Sequence, residues 1–398
     1  MTHADHPGNP YAGGDRPPVA LLTSRFLPFS QTFVYAQVAH YRRYDPEVFV
    51  RSRLNEDRFP GYRVCALTPG GPLRHMESLV QSVTGHSSTF VARLEAGRHR
   101  LLHAQFGWQG VLAVPLLERV RIPLLVTFRG RDVGRVAGSP GVPNPWLASR
   151  RRRLFAMASQ ILAVSQELVD RLLEAGAPPE RVRVWRDGIE IPLDERTPRR
   201  SREGSASEPL RVLMAGRFVE KKGFEYGLEA FAEFVAAGHD ARLAIVGEGE
   251  LRARYERSIR RLGIGDRVEM TGELAHRMLL DRIADSDVFV VPSVRGRHDD
   301  REGVPSVLKE ASARRVPVIG TRHGGIPEAL VDGVTGLLVP ERDPNAIARA
   351  LAALAGDPAL RVRLGSAGRE KMVREYDIVR QVADLEDIYD EVLAGAAR

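Results

Sequence analysis

Short runs of β-branched and aliphatic residues alternate along this chain with longer stretches whose apolar positions recur every three or four residues. In the first half, Val19–Thr23, Glu47–Arg51, Tyr62–Leu67, Leu101–Gln105, Pro123–Phe128, Gln160–Val164 and Arg183–Trp185 read as strands. Helical spacing covers Gln31–Tyr41, a segment that ends near Arg119, and Gln166–Ala175. In the second half the strands are Leu210–Ala215, Arg242–Val246, Val268–Thr271, Val288–Val291, Val316–Gly320 and Leu337–Val339. Helical patterns there cover Phe224–Ala237, Leu251–Leu262, Leu279–Ala284, Pro305–Ala313, Ile326–Leu330 and Pro344–Ala355, and the chain reads as helical from Ala359 onward. Repeated strand, helix, strand predicts an α/β fold with parallel sheets covered on both faces.

Residues 194–209 break the rhythm with Arg, Ser, Glu, Gly and Pro, so they read as a linker. The expected organisation is a disordered tail over 1–17, a first domain over 18–193, the linker, and a second domain over 210–372. A last helix, 373–398, is expected to pack back on the first domain. Two doubly wound domains of this kind are expected to face a central cleft, with ligands beyond the carboxyl ends of their strands.

Composition narrows the picture. The hydrophobic share of 43% and charged share of 27% are those of an ordinary globular protein. A lone cysteine, Cys65, forms no internal disulfide, which fits a reducing, cytoplasmic setting. No apolar run is long enough to span a bilayer. The net charge of +7 is carried almost wholly by arginine, with lysine only at positions 221, 222, 309 and 371. That bias does not point to nucleic acid. Peripheral attraction of the first domain's basic residues to anionic lipid at the inner face of a membrane is the expectation it does raise.

Chemistry concentrates in two segments. After the strand Val288–Val291 come Pro292-Ser293, a loop, and then Glu302-Gly303-Val304-Pro305-Ser306-Val307 leading to Glu310. A helix that opens there presents unpaired N–H groups and the positive end of its dipole, which suit a phosphate or a sugar hydroxyl. Glu310, one to two turns into the helix, could hold ribose hydroxyls, with Glu302 nearer a sugar; two unrelated glutamates on a solvated helix are the plain alternative. After the strand Leu210–Ala215 come Gly216-Arg217 and Lys222-Gly223. Arginine's planar fork and lysine's compact charge suit a pyrophosphate, although a solvated basic turn would read the same.

These motifs continue in order with Val246-Gly247-Glu248-Gly249 and Gly324-Gly325-Ile326-Pro327-Glu328. Together the segment Leu210–Val339 resembles the donor domain of the retaining glycosyltransferases of the group 1 type, glycosyltransferase family 4, whose GT-B fold pairs two Rossmann-like domains. The resemblance implies a phosphate clamp at Arg217 and Lys222, beside Gly216 and Gly247. It implies a ribose ligand at Glu310, a sugar-contacting carboxylate at Glu302, a backbone cradle at Gly303, Val304, Pro305, Ser306 and Val307, and a nucleobase seat at Gly272, Glu273 and Leu274.

The first half is similar to the polysaccharide-building branch, with departures. Ser30-Gln31-Thr32-Phe33 carries Gln31 for a common Glu, Leu102-His103-Ala104-Gln105 carries Gln105 for a His, and Thr127–Asp132 carries Arg129 for a His. Asp187-Gly188-Ile189 carries Asp for the usual Asn. The resemblance implies an acceptor-side wall of Ser30, Gln31, Gln105, Arg129 and Asp132, with His103 as a catalytic residue or, alternatively, a packed strand-end histidine.

The expected activity is transfer of a sugar, with retention and without a metal, from a UDP- or GDP-linked donor to a hydroxyl of a glycan, lipid-linked or small-molecule acceptor. No other cofactor is expected. Asp285-Ser286-Asp287 spells a metal motif but precedes a buried strand, and the His298-Asp299-Asp300 run reads as a solvated loop. The alternatives are a nucleotide-sugar epimerase or sugar phosphorylase of the same fold, or a non-catalytic partner subunit. A nicotinamide dehydrogenase is disfavoured, because no Gly-x-Gly-x-x-Gly follows the first strand of either half.

Overall fold

A computed structural model describes residues 16–26, 32–54, 62–68, 71–137, 145–192 and 208–396. Most of the expected tail and linker, together with Ser30 and Gln31, lies outside these residues. The chain divides into two compact units, residues 1–188 with 378–398, and residues 189–377. The sequence placed those boundaries at 193/194 and 372/373. The helix Pro358–Glu375 in fact runs through position 373, and the chain breaks at Tyr376-Asp377 before the last helix, Ile378–Ala396.

The first unit carries β1 (Pro18–Leu22), β2 (Arg25–Phe26), β3 (Asp45–Arg53), β4 (Arg63–Thr68), β5 (Leu102–Ala104), β6 (Leu124–Phe128), β7 (Ala158–Ala163) and β8 (Val182–Val184). All described pairings are parallel. β2 continues the line of β1 along the far end of β3, so the spatial order is β4-β3-β1-β5-β6-β7-β8. Period-two alternation sends Ala20 and Leu22 to one apolar cluster and Val19 and Leu21 to the other, so both faces of the sheet are buried. The last helix closes the second face. Its Ile378, Val382, Leu385, Tyr389 and Val392 recur at helical spacing and pack into that cluster. Its Glu386 accepts the amides of Arg42, Arg43 and Tyr44 at 2.9, 2.7 and 3.2 Å.

The second unit carries β9 (Leu210–Ala215), β10 (Ala241–Val246), β11 (Val268–Gly272), β12 (Val288–Val291), β13 (Val318–Thr321) and β14 (Leu337–Val339). Their order is β11-β10-β9-β12-β13-β14, all parallel. Counted from β9 this is 3-2-1-4-5-6, the doubly wound order whose switch point lies between β9 and β12. Again both faces are buried: Val212 and Met214 enter one cluster, Leu213 and Ala215 the other. Asp287 joins the two switch-point strands, accepting the Arg211 amide at 2.8 Å and donating its own amide to the Arg211 carbonyl at 2.7 Å. The Asp-x-Asp motif is thus a strand splice.

Pro72–Thr84, Ser88–Ala96 and Arg131–Ala137 are helices outside the expected set, and with Pro145–Met157 they complete the first unit's cover. Among the described residues no helix is long and apolar enough to cross a membrane.

Candidate active site

Two loops of the second unit leave the switch point side by side. The loop after β9 makes a tight turn over Glu220–Lys222 and exits through Gly223 at φ 61°. A β-carbon on Gly223 would lie 2.0 Å from the Pro292 carbonyl oxygen, in the loop after β12. Only glycine permits that approach. The Val294 amide also donates to the Lys221 carbonyl at 2.9 Å, so the loops are laced together.

This lacing puts two lysines on one carboxylate. Lys222 Nζ lies 3.2 Å and Lys221 Nζ 3.5 Å from Glu302 Oε1, and Lys221 also pairs with Asp300 at 3.0 Å. The side chains of Lys221, Lys222 and Glu302 are nearly buried. Arg217, exposed, adds a third positive charge close enough to act on Lys222. Burial would raise the Glu302 pKa, but Lys222 and Lys221 outweigh it and bring it down to about 2. Glu302 is therefore an anion. Lys222 sits below the usual lysine range: burial lowers it, Glu302 offsets this in part, and Lys221 and Arg217 add repulsion. Three cations face two carboxylates, and one more anion would relieve the excess.

The Glu302–Val307 turn is held from behind. Gly324, at φ 51°, lies so close that a β-carbon would stand 2.2 Å from the Glu302 carbonyl oxygen, and the Gly325 amide donates to the Gly303 carbonyl at 3.1 Å. The Glu302 amide donates to His323 Nε2 at 3.2 Å, so the imidazole proton sits on Nδ1 and is donated to Glu341 Oε1 at 2.7 Å. Pro305 caps the helix Ser306–Ala313 rather than opening its first turn. Among the described residues the amides of Gly303, Val304, Ser306 and Val307 have no hydrogen-bond partner. A helix mouth with free donors is what an anionic or hydroxylated ligand would meet.

Glu310 is buried in that helix, and its Oε1 is 2.9 Å from His276 Nε2. The hydrogen bond to Glu310 raises the His276 pKa against the opposing effect of burial. Gly216 follows β9 directly and donates its amide to the Val246 carbonyl at 2.9 Å, and Gly247 donates its amide to the Gly272 carbonyl at 2.9 Å. Glu273 is exposed, while Leu274 packs into the apolar cluster that holds Leu308. Lys221, Asp300, His323 and His276 were not among the expected site residues. Lys221 sits beside a motif residue and His323 precedes the Gly-Gly pair, but only their contacts give them a part. Asp299 pairs with Arg295 and Arg301 at 2.7 and 2.8 Å, so with Asp300 it belongs to an ion-pair network; the His298 side chain lies outside the described residues.

The expected acceptor-side residues behave differently. His103 is fully buried and both ring nitrogens are engaged, Nδ1 with Tyr389 Oη at 2.6 Å and Nε2 with Thr127 Oγ1 at 2.7 Å. Burial, aided by Arg129, lowers its pKa to about 3. Of the two readings of His103, its burial and its engaged ring nitrogens fit the packed strand-end histidine. Gln105 is also fully buried, 3.4 Å from His103 Nδ1. Asp132 caps the next helix start, accepting the Gly107 amide at 2.9 Å and the Arg129 amide at 3.0 Å; burial outweighs these bonds and raises its pKa.

Arg129 links two of the other departures, Gln105 and Asp187. Its guanidinium forks onto Asp187 at 2.8 and 2.9 Å, donates to the Gln105 carbonyl, and lies 4.8 Å from the Phe33 ring centroid. Three of the four positions where the sequence leaves the family pattern (Gln105, Arg129, Asp187) meet in one cluster, and the fourth, Gln31, lies outside the described residues. The Arg and the Asp compensate each other as an ion pair. Arg129 and Asp132 are thus largely committed to internal contacts.

The pattern of the glycosyl transferases group 1 matches residues 195–371, and that of Glycosyltransferase Family 4 matches residues 30–191. The chain is 33% identical over 289 residues to a putative colanic acid biosynthesis glycosyltransferase, WcaL, of Salmonella typhimurium, covering 71% of this chain and 69% of the relative. It is 31% identical over 288 residues to the amylovoran biosynthesis glycosyltransferase AmsK of Erwinia amylovora, covering 70% and 68%. Among solved structures, Anabaena HepE in complex with UDP-glucose superposes with a TM-score of 0.76 at 19% identity, covering 94% of this chain and 99% of that one. Sucrose-phosphate synthase of Thermosynechococcus elongatus superposes at 0.73 and 22% identity, covering 96% and 100%. The ordered motifs, the two doubly wound sheets and these likenesses agree, and the chain belongs to the group 1 glycosyltransferases of the GT-B fold.

Proposed function

We propose that this glycosyltransferase moves a hexose from a nucleoside diphosphate sugar to a hydroxyl of a growing polysaccharide or its lipid-linked precursor, with retention of configuration. The observation that carries the reading is the cation excess at the switch point: Lys221, Lys222 and Arg217 against Asp300 and Glu302, beside the free amides of Gly303–Val307. A diphosphate is the anion that suits both. Its charge would compensate Lys222 and Arg217, and its oxygens would take the helix-mouth amides. Glu310 would exchange His276 for the ribose hydroxyls, Glu302 would contact the sugar, and Gly272–Leu274 would seat the base. HepE, whose structure was solved with UDP-glucose, and the relatives named for colanic acid and amylovoran support a uridine donor and a polysaccharide acceptor.

In the proposed reaction the acceptor oxygen bonds to the anomeric carbon as the bond from that carbon to the diphosphate oxygen breaks. The acceptor proton passes to the departing phosphate on the same face of the sugar. Negative charge grows on the diphosphate, where Lys222, Arg217 and the amides are already positioned, a role otherwise filled by a metal ion. No strong base from the protein is called for, which agrees with a core position for His103.

Calorimetric titration with UDP and GDP, followed by turnover of UDP-glucose and GDP-mannose with a glycan acceptor, tests the reading. Binding of one nucleotide by wild type and its loss in Glu310→Ala is the expected outcome. Failure of wild type to bind either nucleotide, or donor turnover only with free phosphate, would overturn it.

A further inference from the structure

Glu302 is held by its backbone and by one half of its carboxylate. Oε1 faces Lys222 and Lys221 at 3.2 and 3.5 Å. Oε2 makes no hydrogen bond among the described residues, so one oxygen is left for a ligand hydroxyl. Where that oxygen stands depends on the main chain of Glu302, which lies outside helix and strand. A buried amide in such a place needs a partner from elsewhere. His323, only 2% exposed, supplies it: the Glu302 amide donates to Nε2 at 3.2 Å.

Behind the imidazole stands Glu341. Its Oε1 accepts the Nδ1 proton at 2.7 Å, which fixes the tautomer that leaves Nε2 able to accept. Its Oε2 accepts the Arg295 amide at 2.8 Å, and Arg342 donates to the Arg295 carbonyl at 2.6 Å. One carboxylate therefore ties together the loops after β12, β13 and β14, and the imidazole carries that tie to Glu302. The rest of the turn is held separately. The Gly325 amide donates to the Gly303 carbonyl at 3.1 Å, without help from the imidazole. Loss of the His323–Glu341 dyad would free the Glu302 end and leave the helix mouth at Ser306 and Val307 in place.

We propose that His323 and Glu341 are positioning residues for the sugar half of the donor. They set the placement of Glu302, while the nucleotide half is held by the helix mouth and Glu310. The inference rests on the sugar contact proposed above for Glu302, and the dyad acts through that residue without touching the ligand.

Calorimetric titration and steady-state turnover of the full chain test it, comparing UDP with UDP-glucose and GDP with GDP-mannose. His323→Leu removes the acceptor and keeps an apolar filling. It should bind the bare nucleotide within about twofold of wild type, bind the nucleotide sugar about tenfold more weakly, and lower kcat about 10²-fold, the loss that a misplacement of about 1 Å produces. His323→Gln keeps one acceptor and one donor, and should return kcat to within about tenfold of wild type. Glu341→Gln, at a partly exposed position, should show the same split at smaller size with an unchanged melting temperature, and it carries the test if His323→Leu does not fold. A merely structural role would weaken nucleotide and nucleotide sugar alike and would show no rescue by glutamine. Equal weakening of the two ligands, or unchanged turnover in both Glu341→Gln and His323→Leu, would overturn the inference while wild-type binding left the donor reading standing. Absence of nucleotide binding in wild type would end the donor reading, and this inference with it.

Discussion

Arg129 and Asp187 allow a direct test of whether the chain's departures from its family were acquired together. The pair is bidentate at 2.8 and 2.9 Å, and its side chains are only 6% and 14% exposed. Removing one partner of such a buried pair costs about 3–5 kcal/mol, because the remaining charge stays desolvated. Arg129→His, which restores the family residue, would also remove the bond to the Gln105 carbonyl and the contact with Phe33. For a domain of this size each kcal/mol shifts the melting temperature by about 2–4 °C, so each single variant should melt roughly 6–20 °C lower. Arg129→His with Asp187→Asn removes both charges and leaves neither stranded. It should recover about 2 kcal/mol or more relative to the sum of the single effects. Scanning calorimetry reads this, with the first unit's transition recognised as the one UDP does not shift. Strictly additive losses in the double variant would refute the coupling.

Three further outcomes follow from the second unit. Lys222→Ala should lower kcat/KM about 10²–10³-fold with an unchanged circular dichroism spectrum, because it removes charge stabilisation of the leaving diphosphate. Gly324→Ala, at φ 51° and facing the Glu302 carbonyl, should cost about 1–3 kcal/mol and weaken UDP binding together, as read by urea titration and calorimetry. The raised His276 pKa means that the stability from its pairing with Glu310 is fully present below the unfolded imidazole value and is lost as pH rises through the folded one. Protonated His276 also competes with ribose for Glu310, so UDP should bind more weakly at about pH 6 than at about pH 8, and His276→Ala should flatten that dependence.

Much of the proposed donor site could be read along the chain because it is built from local turns. Gly216-Arg217, Lys222-Gly223 and Glu302–Ser306 each follow a buried strand, and each needs its residues next to one another for backbone reasons. The alternation of strands and helices was equally readable, since period-two and period-3.6 burial leave their marks on every short segment. The helices Pro72–Thr84 and Ser88–Ala96 were not read, although Leu73, Met76, Val80 and Val83 of the first recur at helical spacing.

Pattern and spacing determined the fold class, the order of the loops and the residue types gathered at the switch point of the second sheet. Tertiary structure alone decided which charges share a neighbour and which side chains reach water. Lys221 joins Glu302 because the loops after β9 and β12 are laced at Gly223 and Pro292, and no local pattern carries that contact. His103 and Arg129 looked like groups awaiting a ligand, yet the fold supplies their partners from Tyr389, Thr127 and Asp187, up to 286 residues away along the chain. Charge and hydrogen bonding act through space, while a sequence records only neighbours along a line. Burial and pairing are therefore settled when the strands assemble.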